Sequence, residues 1–158
     1  MQTEKLALIE MMTELFRRIH HLSPMAAKIL SILAIEGCSE GLTFESLIER
    51  LHASKSSLST NIKTLLDKGL IHYEVKEGKR RKYFKSFPFD KRFGKFLELI
   101  RYEKNFTLKF IEYTQKQPLQ EDTFTKKKLK KTEILLEFLT TIEGITEEFL
   151  QKIQEENK

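Results

Sequence analysis

Ser54-Lys55-Ser56-Ser57-Leu58-Ser59-Thr60-Asn61-Ile62-Lys63-Thr64-Leu65-Leu66-Asp67-Lys68-Gly69-Leu70 carries the periodicity of a single helix with two unlike faces, and this helix decides the fold. At about 100° per residue, Leu58, Ile62, Leu65 and Leu66 fall on one side, and Ser56, Ser57, Thr60, Lys63 and Thr64 fall roughly opposite. The ends are marked as well. Ser54 is a good N-cap, Gly69 stands where a left-handed residue closes a helix, and Lys68 lies in the last turn near the negative end of the dipole. The apolar side needs a core. The other side suits water, or a groove lined with phosphate, because short hydroxyls permit close approach and a helix N-terminus beside Lys55 attracts an anion.

The segments on either side narrow that choice. Upstream, Thr43 precedes Phe44, Leu47, Ile48 and Leu51, the spacing of a short amphipathic helix with an early Glu45. Only His52 and Ala53 separate it from the Ser54 cap, so a tight helix-turn-helix is expected, with the second helix placed to enter a major groove. Further upstream Ser23 can cap a helix that starts at Pro24, carries Ala26, Ile29, Leu30 and Leu33, and ends at Gly37. Gly41-Leu42 leaves room for a small strand able to pair with a hairpin later in the chain.

That hairpin is signalled by Ile71, Tyr73 and Val75, which alternate with His72 and Glu74, and by Tyr83-Phe84, which resumes after a turn near Glu77-Gly78. Its tip is basic. From Glu74 to Lys85 there are six cations, Lys76, Lys79, Arg80, Arg81, Lys82 and Lys85, against Glu74 and Glu77, so most of the net +5 of the chain sits here. A charged turn is often only solvated. Next to a helix-turn-helix, it also suits contact with a minor groove and the backbone beside it.

Leu22-Ser23-Pro24-Met25-Ala26-Ala27-Lys28-Ile29-Leu30, Leu42-Thr43-Phe44-Glu45, Ser54-Lys55-Ser56-Ser57-Leu58-Ser59 and Arg80-Arg81-Lys82-Tyr83-Phe84 together resemble the MarR superfamily of winged-helix transcriptional regulators, most closely its GbsR-type branch. The resemblance covers roughly residues 22–86. It implies a dimeric, sequence-specific DNA-binding repressor or activator. It also implies control by a small-molecule effector that alters the distance between the two DNA-reading helices, with a hinge after Phe87-Pro88. GbsR-type relatives respond to quaternary ammonium compounds, which an aromatic cage binds by cation–π attraction; no cage is identifiable here. Wings of this family usually carry an acid just before the tip arginine, whereas Lys79 precedes Arg80.

Composition sets further bounds. With 158 residues, 40% apolar and 32% charged, and no long Pro/Gly/Ser linker, the chain is expected to form one compact unit or a small domain with helical extensions. Twelve phenylalanines and no tryptophan supply the interior. No segment approaches the roughly 18 uninterrupted apolar residues of a membrane span, and the charged N-terminus lacks a signal-peptide core, so no membrane partner and a cytoplasmic location are expected. Cys38 alone cannot form an internal disulfide and has no adjacent cation to favour its thiolate. His20, His21, His52 and His72 lack metal-ligand spacing, and neither a phosphate-cradling glycine loop nor a nucleophile elbow is present. No enzyme activity, cofactor or metal is expected. His20-His21 fits the end of the first helix.

The two ends of the chain are helical in pattern. Leu6, Ile9, Met12 or Thr13, and Phe16 form an N-terminal stripe. After Pro88, Phe93, Phe96, Leu97, Ile100, Phe106, Phe110, Ile111 and Tyr113 sustain a long helix to a break at Gln117-Pro118. Leu135, Phe138, Ile142, Ile145 and Phe149 repeat at three and four like a helix-packing seam, with Gly144 a candidate for a bend. That is more apolar surface than one small winged domain needs, which points to a subunit interface; a monomer with a private helical bundle is the alternative. Lys126–Lys131 is a basic run suited to solvent or to extra phosphate contact.

The expected fold is therefore mainly α with a small β-hairpin wing. Residues 22–86 form the winged helix-turn-helix domain, and residues 1–21 together with 87–158 form a helical dimerisation region. The expected function is a homodimeric transcription regulator that binds double-stranded DNA through Lys55, Ser56, Ser57, Thr60 and Lys63 in the major groove and Lys79, Arg80, Arg81 and Lys82 on the flanking backbone, with recognition helices about 34 Å apart. The rival is a winged-helix module that binds an acidic protein partner. Binding to duplex DNA and its salt dependence separate the two.

Overall fold

A computed structural model of the chain describes residues 2–78, 80–116 and 123–156. Its elements run α1 (Gln2–His20), α2 (Pro24–Glu36), β1 (Leu42–Thr43), α3 (Phe44–Leu51), α4 (Lys55–Asp67), β2 (Ile71–Val75), β3 (Lys82–Ser86), α5 (Phe89–Lys116) and α6 (Thr123–Glu156). They fall into two compact units, Met1–Pro88 and Phe89–Lys158.

In the first unit the local signals act where the sequence places them. Ser23, Thr43 and Ser54 each accept a hydrogen bond from the backbone N–H three residues on, at 3.2 Å, and so open α2, α3 and α4. The α4 helix closes with Gly69 at φ +61°, Gly69 N–H on the Leu66 carbonyl and Leu70 N–H on the Leu65 carbonyl, a paired arrangement that satisfies two otherwise orphaned acceptors. The α1 helix ends at His20, with His21 left-handed at φ +50°. His52, at φ +49°, makes the corner between α3 and α4.

The sheet is antiparallel in the order β1-β3-β2, with Leu42 opposite Phe84 and Tyr73 opposite Phe84 on the other side. The short strand at Leu42 thus pairs with the hairpin as its position suggested. Its entry depends on Gly41, at φ +76°, where an added Cβ would lie 2.9 Å from the Phe84 carbonyl oxygen and 3.1 Å from Tyr83 Cβ. Gly41→Ala is expected to destabilise this unit by about 2 kcal/mol, since it combines left-handed strain with a backbone clash; a thermal melt read by circular dichroism measures it.

The core is centred on α2. The expected stripe of Ala26, Ile29, Leu30 and Leu33 is buried, but so are Ala27, Ser31 and Ile32. The additional burial arises because α1 packs on one side of α2 while α4 and β3 pack on the other, leaving little of its circumference to water. Ser31 is tolerated there because its hydroxyl donates to the Ala27 carbonyl at 2.9 Å. From α1 come Ile9 and Phe16, with Thr13 buried between them and Met12 partly buried against the same core. From α3 and α4 come Leu47, Leu58, Ile62 and Leu65.

The second unit is an antiparallel helical hairpin. Leu97, Ile100, Lys104, Thr107 and Ile111 of α5 recur at three and four, the spacing of a packing seam. Facing them on α6 are Leu136, Leu139, Glu143, Thr146 and Leu150. The stripe expected on α6 is not the one that meets α5: Leu135, Phe138 and Ile145 are exposed, the last two at 57% and 62%, and only Ile142 and Phe149 of it are half-buried. The reason is that α6 has two adjacent apolar stripes one residue apart, and α5 occupies the weaker one. Lys104 pairs with Glu143 inside this seam, and Arg101 pairs with both Glu143 and Glu147. Hydrogen bonds from Lys104 and then Arg101 outweigh the opposing effect of burial and hold the Glu143 carboxyl below the usual carboxylate range. The α6 helix is continuous through Gly144, and the expected break at Gln117-Pro118 lies outside the described residues.

Candidate nucleic-acid interface

The two faces of α4 separate as its periodicity requires. Leu58 and Leu65 are completely buried, while Lys55, Ser56, Thr60 and Lys63 are exposed. Ser57 has its N–H held by the Ser54 cap and its carbonyl taken by Asn61 Nδ2 at 2.8 Å. The Thr60 hydroxyl donates to the Ser56 carbonyl at 3.0 Å, and that of Thr64 to the Thr60 carbonyl at 3.1 Å. Both hydroxyls therefore present acceptor lone pairs outward, and each must break an intrahelical bond before it can donate to a partner.

Asn61 is a residue that periodicity alone did not single out. Its Oδ1 accepts from the Ser23 hydroxyl at 2.9 Å, and Ser23 in turn caps α2. The rotation of α4 about its own axis is thus fixed by a polar contact to the start of the central helix as well as by its leucines. A second tie runs through Glu36 at the end of α2, which meets Lys5 of α1 at 3.1 Å and Arg50 of α3 at 2.8 Å. Burial alone would raise the Glu36 carboxyl, but hydrogen bonds from Arg50 and Lys5 prevail and lower it.

On the wing the six cations separate into different roles. Lys85 pairs across the hairpin with Glu74 at 2.9 Å, and this hydrogen bond, set against slight burial, lowers the Glu74 carboxyl. Lys76 pairs with Glu40 at 2.9 Å and lies 4.4 Å from the Tyr83 ring centroid. These two lysines are already countered, and Glu40 is too distant in sequence, 36 residues, for hairpin pattern to have revealed the pairing. Lys82 places its ammonium group 4.0 Å over the Tyr73 ring in a cation–π contact and stays exposed to solvent. Arg80 and Arg81 are exposed and make no ion pair among the described residues. Lys79 lies outside the described residues.

The helix and the wing meet in a groove of about 490 Å³ between the start of α3, the second half of α4 and β3. Phe44, Ile62, Leu66 and Phe84 make its floor, and Lys63, Arg80, Arg81 and Lys82 bring four cations to its walls. The structure therefore joins four of the expected contact residues in one concavity, with Lys55 and Ser56 at the opposite, N-terminal end of α4. Elsewhere, no group of three or more His, Cys, Asp or Glu among the described residues could hold a metal ion, and no described helix is long and apolar enough to cross a membrane.

No family model and no curated protein matches the chain. Among solved structures, a transcriptional regulator of known crystal structure superposes with a TM-score of 0.62 at 19% identity, over 96% of this chain and 99% of that one. A SlyA-like transcription regulator from Listeria monocytogenes aligns over 99% of this chain and 93% of its own at 19% identity, with a TM-score of 0.38. At this identity the first likeness establishes shared architecture alone: the chain has a winged-helix fold, mainly helical with a small antiparallel sheet, as the sequence led us to expect.

Proposed function

We propose that this protein is a MarR-type transcriptional regulator that binds double-stranded DNA as a homodimer. One observation carries the reading: the hydroxyl-and-lysine face of α4 is open, and Lys63 on it shares a groove with Arg80, Arg81 and Lys82 of the wing. Lys55, Ser56, Ser57, Thr60 and Lys63 then face the major groove. Arg80, Arg81 and Lys82, with Lys79, hold the adjoining backbone. Hydroxyls and single lysines read bases less sharply than bidentate arginine or glutamine, so groove shape and half-site spacing supply part of the specificity. Selection of bound fragments from genomic DNA by the purified protein tests the reading. Enrichment of a two-fold symmetric motif is the expected result; a flat profile favours the acidic-partner module.

The dimer is supported by what is left uncovered. All the exposed large apolar side chains except Tyr73 and Val75 lie on α1, α5 and α6. On α5 and α6 the residue before each seam position points to the same side of the hairpin, because the helices run antiparallel; Phe96, Leu99, Phe106, Leu135, Phe138 and Ile145 thus line one broad face. On α1, Leu8, Met11, Leu15 and Ile19 make a second open stripe. Patches of this extent mark association surfaces. Phe138→Asp is expected to convert the dimer to monomer in size-exclusion chromatography with light scattering, while the helix content stays unchanged because Phe138 faces away from α5.

The finer features of the reading, a GbsR-type relationship, control by a small effector of the quaternary ammonium class and residence in the cytoplasm, rest on the sequence resemblance and composition. A shift in melting temperature on adding betaine or choline tests the effector.

A further inference from the structure

The groove between α4 and the wing is not uniformly basic. Glu45, from the first turn of α3, and Asp67, the last residue of α4, line it together with Lys63, Arg80, Arg81 and Lys82. Neither acid has an ion-pair or hydrogen-bond partner among the described residues, although Lys63 stands four positions before Asp67 on the same helix. Asp67 is also poorly placed for its own helix, since a carboxylate at the C-terminal end opposes the dipole. Two carboxylates without an ion-pair partner among the described residues thus stand in a concavity whose other charged groups attract phosphate.

Resting on the DNA-binding reading above, we propose that Glu45 and Asp67 are selectivity-determining residues that bar the DNA backbone from the α3 and α4 side of this groove and confine it to the wing cations. In a complex fixed by base contacts, the backbone keeps one register and tracks Arg80, Arg81 and Lys82. In complexes with arbitrary sequence, the backbone samples the whole groove, and a phosphate near either carboxylate is repelled. The acids therefore weaken non-specific binding more than specific binding, a discrimination achieved by repulsion of the wrong arrangement.

The test uses full-length wild type, Glu45→Gln, Asp67→Asn and the double variant, titrated by fluorescence anisotropy against a random-sequence duplex and against the fragment enriched in the genomic selection, over a series of salt concentrations. Each single variant is expected to bind the random duplex roughly two- to five-fold more tightly. The double variant is expected to show a steeper salt dependence, by up to about 0.9 per acid and subunit, and a lower ratio of enriched-fragment to random-duplex affinity. Asp67→Asn removes an unfavourable charge from a helix end, so loss of folding does not obscure it, and a thermal melt monitors Glu45→Gln. If wild type binds DNA while the variants keep its affinity, its salt slope or its selectivity ratio, the inference is overturned and the DNA-binding reading stands. If wild type binds no duplex at all, both fall together.

Discussion

Replacing Arg80 and Arg81 together by alanine is expected to weaken binding to duplex DNA by roughly a hundred-fold or more at physiological salt, and to flatten the salt dependence by about two to four for a dimer. The size of the effect comes from counterion release. Each phosphate neutralised adds about 0.9 to the slope of log affinity against log salt, and two arginines on each of two wings amount to as many as four contacts. Both arginines are exposed and unpaired among the described residues, so their removal leaves no buried acid stranded and no packing void. Stability should stay within about 0.5 kcal/mol of wild type. Fluorescence anisotropy across a salt series measures the slope, and an unaltered slope sinks the assignment of the wing to the backbone. The Lys76 and Lys85 alanine variants make a sharp comparison: paired with Glu40 and Glu74, these lysines should change the slope far less.

The second large effect is on folding. Leu58→Ala is expected to cost about 3 kcal/mol, with a fall in melting temperature on the order of 15 °C for a unit of this size. Leu58 is fully buried on the inner face of α4, and truncation both loses its transfer free energy and opens a cavity between α4 and the central α2. Two positions earlier, Ser56→Ala lies on the exposed face and should leave the melting temperature nearly unchanged. A circular dichroism melt of the pair checks whether the two faces of α4 differ in this way. If both variants melt alike, the orientation of the helix is wrong, and the contact residues assigned to it are wrong with it.

Much of the winged unit was legible because its signals are local. A cap needs only a side chain and an N–H three residues on, so Ser23, Thr43 and Ser54 marked three helix starts from sequence alone. Gly69 and Gly78 take positive φ where a helix end and a hairpin turn require it. Strict alternation over Ile71–Val75 gave the strand, and the outward face of α4 was set by where its leucines fell. The site itself was legible in part. Residues on a single element, such as Ser56, Thr60 and Lys63, could be placed by periodicity.

What the chain determined by itself, then, is the sequence of capped helices, the hairpin and the basic tip, since each depends on contacts within a few residues. Tertiary structure alone decided which charges survive uncountered, because Glu40 reaches Lys76, and Glu45 and Asp67 reach the wing groove, only after distant segments pack. It also decided the phase of α6. Where a helix carries two apolar stripes, periodicity says that both want burial but not which one the neighbouring helix will take; the fit of Leu139 and Thr146 against α5, with Glu143 meeting Lys104, resolves it and leaves Phe138 and Ile145 facing outward.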